Sequence, residues 1–426
     1  MILTLFIGSF FLLLLIGVPV AFAMLLPSFL YLYQTGVPIS VVAQRLFDPL
    51  TSPSFLAIPF YILAAEILNA TGITEKLFIF ARKVIGFIPG GLGQANILAS
   101  MIFAGMSGSA IADAGGLGRI EMKAMEEAGY DMKYSAGITA SSSVIGPIIP
   151  PSIPLVVYGI MAEQSVAKMF VGGLLPGIII GLCLMAITFY LALRKPQLFP
   201  RDPVPKLKEI VVSTKEAFWA LLIPVLIVGG ILTGVFTPTE AGSTAVLYAV
   251  VLSVFSEGIT LKAMVEAFKR AMRATAMVMF ILGAALVFSW VVTISQMPQK
   301  MITGILAVTS NKYLILTAVG VMLLVMGMFL AGNASLIILA PILVSIAPML
   351  EIDLIHLGVF LVLGCMTAVI TPPVGGALFV IVDMTGLTVG EVSRGVVPFL
   401  IAIIVGMFII MFFPQTVLFL PNLLWK

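Results

Sequence analysis

Two stretches of the sequence combine prolines with glycine and hydroxyl residues in otherwise apolar surroundings. The first covers residues 141–154 and reads SSSVIGPIIPPSIP, and the second covers residues 367–376 and reads TAVITPPVGG. Proline lacks an amide hydrogen and its ring clashes with the preceding turn, so each stretch predicts a break in a helix. Unwinding frees carbonyl oxygens, which hard cations such as sodium favour, and the exposed amino-terminal ends of half-helices attract anions.

Two short glycine-containing segments could complete binding sites at these breaks. They lie at Ser107-Gly108-Ser109 and at Gly332-Asn333, where glycine permits close approach of the backbone. We expect two sodium sites, each formed by one glycine-containing segment and the helix break in the same half of the chain. The expected ligands are Ser107, Ser109, Gly146, Ile149 and Pro151 in the first site, and Asn333, Thr367, Thr371 and Pro373 in the second. The plainer alternative is that these prolines and glycines only kink helices and pack them closely.

A substrate could bind near the same breaks. The expected contacts are Ser107, Gly108, Asp113, Ser142, Ser143, Pro150 and Pro372. Asp113 is the strongest candidate for a functional carboxylate, and the alternative is an acid satisfied by a local helix dipole. Glu121 and its charged neighbours are expected on a solvated face, Glu66 near a membrane interface, and Glu240 at the start of a helix.

Other functional classes lack their characteristic residues. The only histidine is His356, and Cys183 and Cys365 lie apart in apolar runs, so neither a multi-histidine metal site nor a disulfide framework is predicted. No glycine-rich phosphate loop precedes a Lys-Ser/Thr pair, so ATP is not the expected energy source. The net charge is +3 without a basic patch, which argues against nucleic-acid binding. We expect no enzyme activity, and no cofactor apart from sodium as a coupling ion.

Composition places much of the chain in lipid. Of 426 residues, 61% are hydrophobic and 10% are charged, and the mean hydropathy is +1.21. Soluble domains carry about 25% charged residues, because a large part of any folded surface must face water. Charge-free stretches long enough to cross a bilayer recur along the chain. The sequence therefore predicts an all-α polytopic membrane protein.

The two halves of the sequence repeat at an offset of 222 positions. The shift aligns Gly105-Met106 with Gly327-Met328, Asp131 with Asp353, Pro150-Pro151 with Pro372-Pro373, Gly173 with Gly395, and Pro176 with Pro398. We predict a first repeat over residues 1–193, a cytoplasmic linker over 194–215 and a second repeat over 216–426. The first contains two scaffold helices, an arm, a hairpin (91–129), a broken helix (135–162) and a helix (169–193). The second contains a hairpin (313–350) and a broken helix (354–382).

Basic residues predict the orientation, because short loops rich in Lys and Arg stay in the cytoplasm. The linker and the basic segments 76–83 and 262–273 all face the cytoplasm only if segment 91–129 is a hairpin that enters and leaves the membrane on the cytoplasmic face. Its counterpart, segment 313–350, is then a hairpin that enters from the periplasm. The repeats then have opposite orientations, as in secondary transporters, and both termini are periplasmic. Segments 74–85 and 260–271 have basic amphipathic patterns typical of helices lying along the cytoplasmic interface.

Five motifs resemble the large membrane subunit of tripartite ATP-independent periplasmic (TRAP) transporters, the DctM-like family. In order they are residues 89–93 (PGGLG), 107–113 (SGSAIAD), 147–154 (PIIPPSIP), 237–242 (TPTEAG) and 370–373 (ITPP). The resemblance covers essentially the whole chain. It implies an elevator-type transporter of the bacterial inner membrane that is driven by sodium. It also implies a small four-helix membrane subunit and a soluble periplasmic protein that delivers a carboxylate such as a dicarboxylate, sialic acid or another sugar acid.

One position departs from the pattern of many relatives, which carry an aspartate in the second hairpin tip. The alignment places Ala331 there, so the second cation site is expected to be built differently, with Asn333 as its nearest polar side chain.

Two other functions fit the sequence less well. A carboxylate or ion carrier of the same architecture would need no binding protein, and partner genes beside its own would argue against it. The paired broken helices that face paired hairpins argue against a channel or a purely structural membrane protein. We therefore expect sodium-coupled uptake in a tripartite assembly.

Overall fold

A computed structural model of the chain describes residues 2–47, 53–255, 260–297, 303, 309, 311–327, 332–372 and 375–425. All regular structure in these ranges is helical. The helices of the first half are α1 (Ile2–Leu15), α2 (Val20–Gln34), α3 (Ile39–Phe47), α4 (Ala57–Ala70), α5 (Ile73–Ile85), α6 (Gly91–Ser107), α7 (Ala110–Gly115), α8 (Leu117–Glu127), α9 (Met132–Ser142), α10 (Ile153–Met161) and α11 (Val166–Arg194). Those of the second half are α12 (Leu207–Leu232), α13 (Pro238–Phe255), α14 (Leu261–Ile294), α15 (Lys312–Gly327), α16 (Gly332–Ile346), α17 (Leu354–Ala368), α18 (Gly376–Thr385), α19 (Val389–Phe412) and α20 (Gln415–Leu424).

Several helices are built to cross a membrane. Among the described residues, α11, α12, α13, α14 and α19 are long and apolar enough to span one, and α4 with α5 passes the same test as a pair bent by 77°. Their outer faces expose large hydrophobic side chains, such as Leu182 on α11 and Val225 on α12. Large exposed apolar surfaces mark contacts with a membrane or another protein, and the length and hydropathy of these helices favour the membrane. The chain is a multi-pass, all-α membrane protein, as its composition predicts.

An aspartate caps the amino terminus of each of the two broken helices. Asp131 precedes α9, and its carboxylate accepts hydrogen bonds from the backbone N–H groups two and three residues later, at 2.7 and 3.2 Å. Asp353 precedes α17 and accepts from the equivalent N–H groups at 2.8 and 3.1 Å. These aspartates are one of the pairs aligned by the 222-residue offset, so the local structure repeats with the sequence.

The helix that follows each break packs against the broken helix of the other half. Gly395 of α19 lies against Gly137 of α9, and a side chain at either glycine would collide with the opposing backbone. In the counterpart crossing, a Cβ on Gly172 of α11 would lie 3.1 Å from the side chain of Ile355 on α17. Close crossings of this kind need small residues. They interlock the two halves around the breaks.

The linker between the halves is held against the first half. Arg82 of α5 makes a two-point ion pair with Asp202, at 2.7 and 2.8 Å, and Lys83 contacts Glu209 at 3.0 Å. The hydroxyl of Tyr130 donates to the carbonyl of Pro200 at 2.6 Å. These contacts fix the linker beside the ends of α5 and α8.

Several predicted boundaries need correction. The second half of the linker assigned to 194–215 is the first part of α12, which begins at Leu207 and contains no helix-breaking residue before its membrane span. The interfacial segment 260–271 is continuous with the membrane span in α14, again without an intervening proline or glycine. The predicted starts at 135 and 169 are a few residues late, since α9 and α11 begin directly after their caps, Asp131 and Ser165.

Candidate functional site: two helix breaks around one cavity

The first glycine segment is a sharp turn between α6 and α7. Helix α6 ends at Ser107, Gly108 adopts a left-handed conformation with φ of 59°, and Ser109 caps α7 through its hydroxyl, which accepts from the N–H of Ala112 at 3.4 Å. A Cβ on Gly108 would come within 2.5 Å of the carbonyl oxygen of Pro151. Glycine is therefore required here both by the turn and by the approach of the first break.

The first break is a buried stretch of irregular backbone. A short 3₁₀ turn at Ser143–Ile145 follows α9, and α10 begins at Ile153. Ser152 caps α10, accepting from the N–H of Leu155 at 3.2 Å, while its hydroxyl donates to the carbonyl of Pro147. Residues 143–153 are buried throughout. The prolines open the helix, and the serine satisfies part of the freed backbone.

The turn and the break meet, so the structure brings together most of the residues predicted for the first sodium site. Gly108 lies against Pro151, and Gly146 lies against the backbone of Ser109. The hydroxyl of Ser107 is buried and has no hydrogen-bond partner among the described residues. Ile149 is in the same break, with its side chain packed on Gly177 of α11. Buried polar groups without a partner are rare in native proteins, so the Ser107 hydroxyl is a candidate ligand group.

The second site is described only in part. Gly332 begins α16 and packs on the end of α17, where a Cβ would lie 2.8 Å from the carbonyl oxygen of Cys365. The Thr367 hydroxyl donates to the carbonyl of Leu363, and the Thr371 hydroxyl donates to the carbonyl of Thr367, at 2.7 and 2.9 Å. Ala331, Pro373 and the side chain of Asn333 lie outside the described residues. The prediction for these positions stays a prediction.

Both turns and both breaks face one cavity of about 410 Å³. Residues from the first turn and break line it, namely Ser107, Gly108, Ser109, Ala110, Ile111, Ala112, Pro147, Ile153 and Pro154. Gly332, Met366 and Val369 approach from the second turn and break. Helices α4 and α14 close the cavity with Ile62, Ala65, Glu66, Ala274, Met277 and Val278. The cavity thus lies between elements that are far apart in the sequence.

The predicted substrate residues divide into two groups. Ser107 and Gly108 line the cavity. Asp113, Ser142 and Ser143 are fully or almost fully buried away from it, and Pro150 is buried in the break. The hydroxyl of Ser143 donates back to the carbonyl of Ala140 at 2.7 Å. Pro372 is half-buried at the end of the described part of the second break.

Two features of the site escaped the sequence analysis. Glu66 lines the cavity and pairs with Arg270 at 2.7 Å, a contact between residues 204 positions apart that no local pattern could predict. Glu121 is fully buried, so its assignment to a solvated face is wrong. Its carboxylate accepts from the amide of Asn96 at 2.7 Å, on the face of α8 that packs against α6 and α9. Alternating charges on α8 obscured that this face is internal.

Sequence comparison identifies close relatives over nearly the whole chain. The family described as the DctM component of the tripartite ATP-independent periplasmic transporter matches residues 7–416. The large permease SiaM of the sialic acid TRAP transporter of Vibrio cholerae is 38% identical over 96% of this chain and 95% of its own length. The C4-dicarboxylate TRAP transporter large permease DctM of Pseudomonas aeruginosa is 37% identical over 89% of both chains.

A longer relative and a solved structure are also similar. The sialic acid TRAP transporter permease SiaT of Haemophilus influenzae is 40% identical over 96% of this chain, which spans 66% of SiaT. The solved structure of the YdaH transporter of Alcanivorax borkumensis aligns with a TM-score of 0.66 over 88% of this chain and 87% of that one. At 14% identity this match concerns the fold alone.

Proposed function

The chain belongs to the DctM family of TRAP transporter large permeases, and from that membership we propose that it carries a small organic acid inward across the bacterial inner membrane, coupled to sodium. A periplasmic binding protein delivers the acid, and a small four-helix membrane subunit completes the transporter. Membership in this family makes the chain a transporter and not an enzyme.

The cavity shared by both turns and both breaks carries the proposal. Non-helical backbone at membrane depth is tolerated where it is buried in protein or lines a cavity, and secondary transporters bind their substrates at such breaks. Here the two breaks come from opposite halves of the chain and approach one space of about 410 Å³. That volume lies in the range of pockets for small molecules.

The chemistry of the cavity supports an acid as substrate. The first turn of α10, at Ile153 and Pro154, lines the cavity, and a helix amino terminus favours a negative group. Arg270 reaches the same region through its ion pair with Glu66. Relatives are named for sialic acid, C4-dicarboxylates and 2,3-diketo-L-gulonate, all of them small acids. We propose a substrate of this class.

We propose two sodium sites, one where the first turn meets the first break and one where the second turn meets the second break. At the first, the unpartnered hydroxyl of Ser107 and the carbonyls near Gly146 and Pro151 supply oxygen ligands. At the second, Thr367 and Thr371 contribute. The turns and breaks move together as an elevator relative to α4 and α14, with both termini in the periplasm.

Uptake in proteoliposomes tests the proposal. The chain is reconstituted with its small subunit, and uptake of radiolabelled sialic acid, succinate and 2,3-diketogulonate is followed with and without an inward sodium gradient and the binding protein. We expect one acid to accumulate only when gradient and binding protein are both present. Accumulation without the binding protein would identify the self-sufficient carrier instead. Equal accumulation with sodium and with potassium gradients would contradict the sodium coupling.

A further inference from the structure

A pocket with charged walls lies between the start of α5, the middle of α12 and the end of α13. Its volume is about 520 Å³, and it shares no lining residue with the cavity between the two breaks. The lining residues that decide its chemistry are Gly72, Glu75, Lys76, Glu216, Trp219 and Phe255. The size is that of a site for a small molecule or a lipid headgroup.

The course of the helices places this pocket at the membrane–water interface. Helix α4 is bent by 77° from α5, and the bend at Thr71 and Gly72 is part of the pocket. Helix α12 carries no charged residue after Glu216, so its membrane span begins there. Trp219, which is 56% exposed, follows within one turn, and tryptophan is typical of this level because its ring is apolar and its N–H is polar. Helix α13 ends at the same pocket with Phe255, which is 81% exposed.

Contacts outside the pocket hold its walls in position. Lys83 of α5 contacts Glu209 of α12 at 3.0 Å. The hydroxyl of Tyr248 on α13 donates to the backbone carbonyl of Trp219 on α12 at 2.9 Å. The pocket is therefore formed before a ligand binds, which lowers the cost of binding.

The charged side chains of the pocket are available to a ligand. Glu75, Lys76 and Glu216 are exposed, and none of them forms an ion pair within the part of the chain that the structure describes. The pocket thus offers one positive and two negative groups. A ligand that satisfies all of them carries both signs of charge.

The positions of these groups match a zwitterionic lipid headgroup. Lys76 suits a phosphate group. Glu216 and Trp219 stand three residues apart and so share one face of α12, where a carboxylate and an aromatic ring together suit an ammonium group. Leu252 and Phe255 supply apolar surface for the adjoining glycerol and acyl chains.

Other ligands at this interface fit the charges less well. Sites for anionic lipids are basic, whereas this pocket has an excess of carboxylates. The same excess repels the small acid of the proposed transport reaction. Phosphatidylethanolamine carries a phosphate and an ammonium group next to each other and has no net charge.

We propose that this pocket binds the headgroup of phosphatidylethanolamine, on the face that the basic residues predict to be cytoplasmic. The phosphate lies against Lys76, the ammonium group lies between Glu216 and Trp219, and Glu75 disfavours anionic lipids. The bound lipid ties the bend between α4 and α5 to α12 and α13. The site depends neither on sodium nor on which acid is transported.

Native mass spectrometry of the full-length chain in complex with its small subunit tests the site. The detergent-purified complex is titrated with equal amounts of dioleoyl phosphatidylethanolamine and dioleoyl phosphatidylglycerol, and the lipids that stay bound are counted. We expect the wild-type complex to retain phosphatidylethanolamine in preference. Lys76→Gln and Glu216→Gln each remove one charge-assisted contact and should lower the affinity for this lipid about tenfold.

Two further variants sharpen the test. Lys215→Gln is the matched control, because Lys215 is exposed on the same helix as Glu216 but lies outside the pocket, and it should keep the wild-type affinity. The double variant Glu75→Gln/Glu216→Gln leaves Lys76 as the one charged side chain among the described lining residues. It should reverse the preference toward phosphatidylglycerol.

The competition between the two lipids on the wild-type complex gives a result even if a variant does not fold. Equal retention of both lipids would overturn the proposal. So would an affinity that is unchanged in Lys76→Gln or in Glu216→Gln. Binding to the chain alone that is lost in the complex would also overturn it, because the pocket would then be a contact with the small subunit.

Discussion

Ser107 and Ser109 stand two residues apart in one turn, yet they have different tasks. The hydroxyl of Ser109 caps α7, whereas that of Ser107 is buried without a partner among the described residues. A buried hydroxyl left unpaired costs about 1–3 kcal/mol. In the proposed first sodium site, the ion would be the partner that the Ser107 hydroxyl lacks.

We predict that Ser107→Ala weakens sodium binding. The thermal unfolding midpoint of the purified chain should rise in sodium chloride relative to potassium chloride at equal ionic strength, because a ligand that binds the folded state stabilises it. Loss of one oxygen ligand should weaken sodium affinity about tenfold, or about 1.4 kcal/mol.

Ser253→Ala is the matched control for that variant. Ser253 is also buried, but its hydroxyl donates to Val250 within α13 at 2.6 Å, away from the cavity. The control should keep the full sodium shift. An unchanged shift in Ser107→Ala would remove Ser107 from the site.

Sequence reasoning found the residues of the first turn and break, because prolines and glycines have local effects that can be read without a structure. It did not find the buried hydrogen bonds that join α6 to α8 and α9. Asn96, Ser100 and Thr139 are ordinary polar residues, and only the packing of α6 against α8 and α9 gives them partners. The burial of Glu121 has the same origin.

At the scale of the elements, the close crossing of α9 and α19 holds the first break in place. A Cβ on Gly395 would collide with the carbonyl group of Lys133, and one on Gly137 would collide with Gly395. These contacts are between backbones, which cannot rotate away as a flexible side chain would. The crossing therefore accepts only glycine at both positions.

Gly395→Ala should destabilise the protein by about 1–3 kcal/mol, the usual cost of overpacking. Thermal unfolding in detergent would show a lower midpoint. Gly390→Ala lies in the same helix with open space around it, and it should leave the midpoint unchanged or raise it slightly. Equal midpoints for the two variants would mean that the crossing is looser than described.

The elements themselves were predictable where the sequence has strong local features. The breaks were predicted from proline and glycine, and a helix start at Glu240 agrees with α13, which begins at Pro238. Asp131 and Asp353 were matched as a repeat pair, but their role as caps was not predicted. The first part of α12 was assigned to the cytoplasmic linker from its basic residues. Charge predicts the location of a segment relative to the membrane and says little about its conformation.

At the scale of the whole molecule, composition was enough to predict a polytopic membrane protein. The cavity was not predictable in its dimensions, because its walls come from α4, α7, α10, α14, α16 and α17. The ion pair of Glu66 and Arg270 joins two of these walls, α4 and α14. We propose that this cavity lies on the transport path and opens to one side of the membrane at a time.

Accessibility of a cysteine at Ile111 tests that claim most directly. Ile111 is 53% exposed and lines the cavity. In a background without Cys183 and Cys365, Ile111→Cys would be treated with a membrane-impermeant thiol reagent in right-side-out and inside-out vesicles that also contain the small subunit. Val204→Cys in the exposed linker is the control and should react only from the cytoplasmic side.

The account predicts that the cysteine at position 111 reacts from both sides, and that sodium with substrate slows the reaction from one side while speeding it from the other. Reaction from a single side under every condition would contradict it.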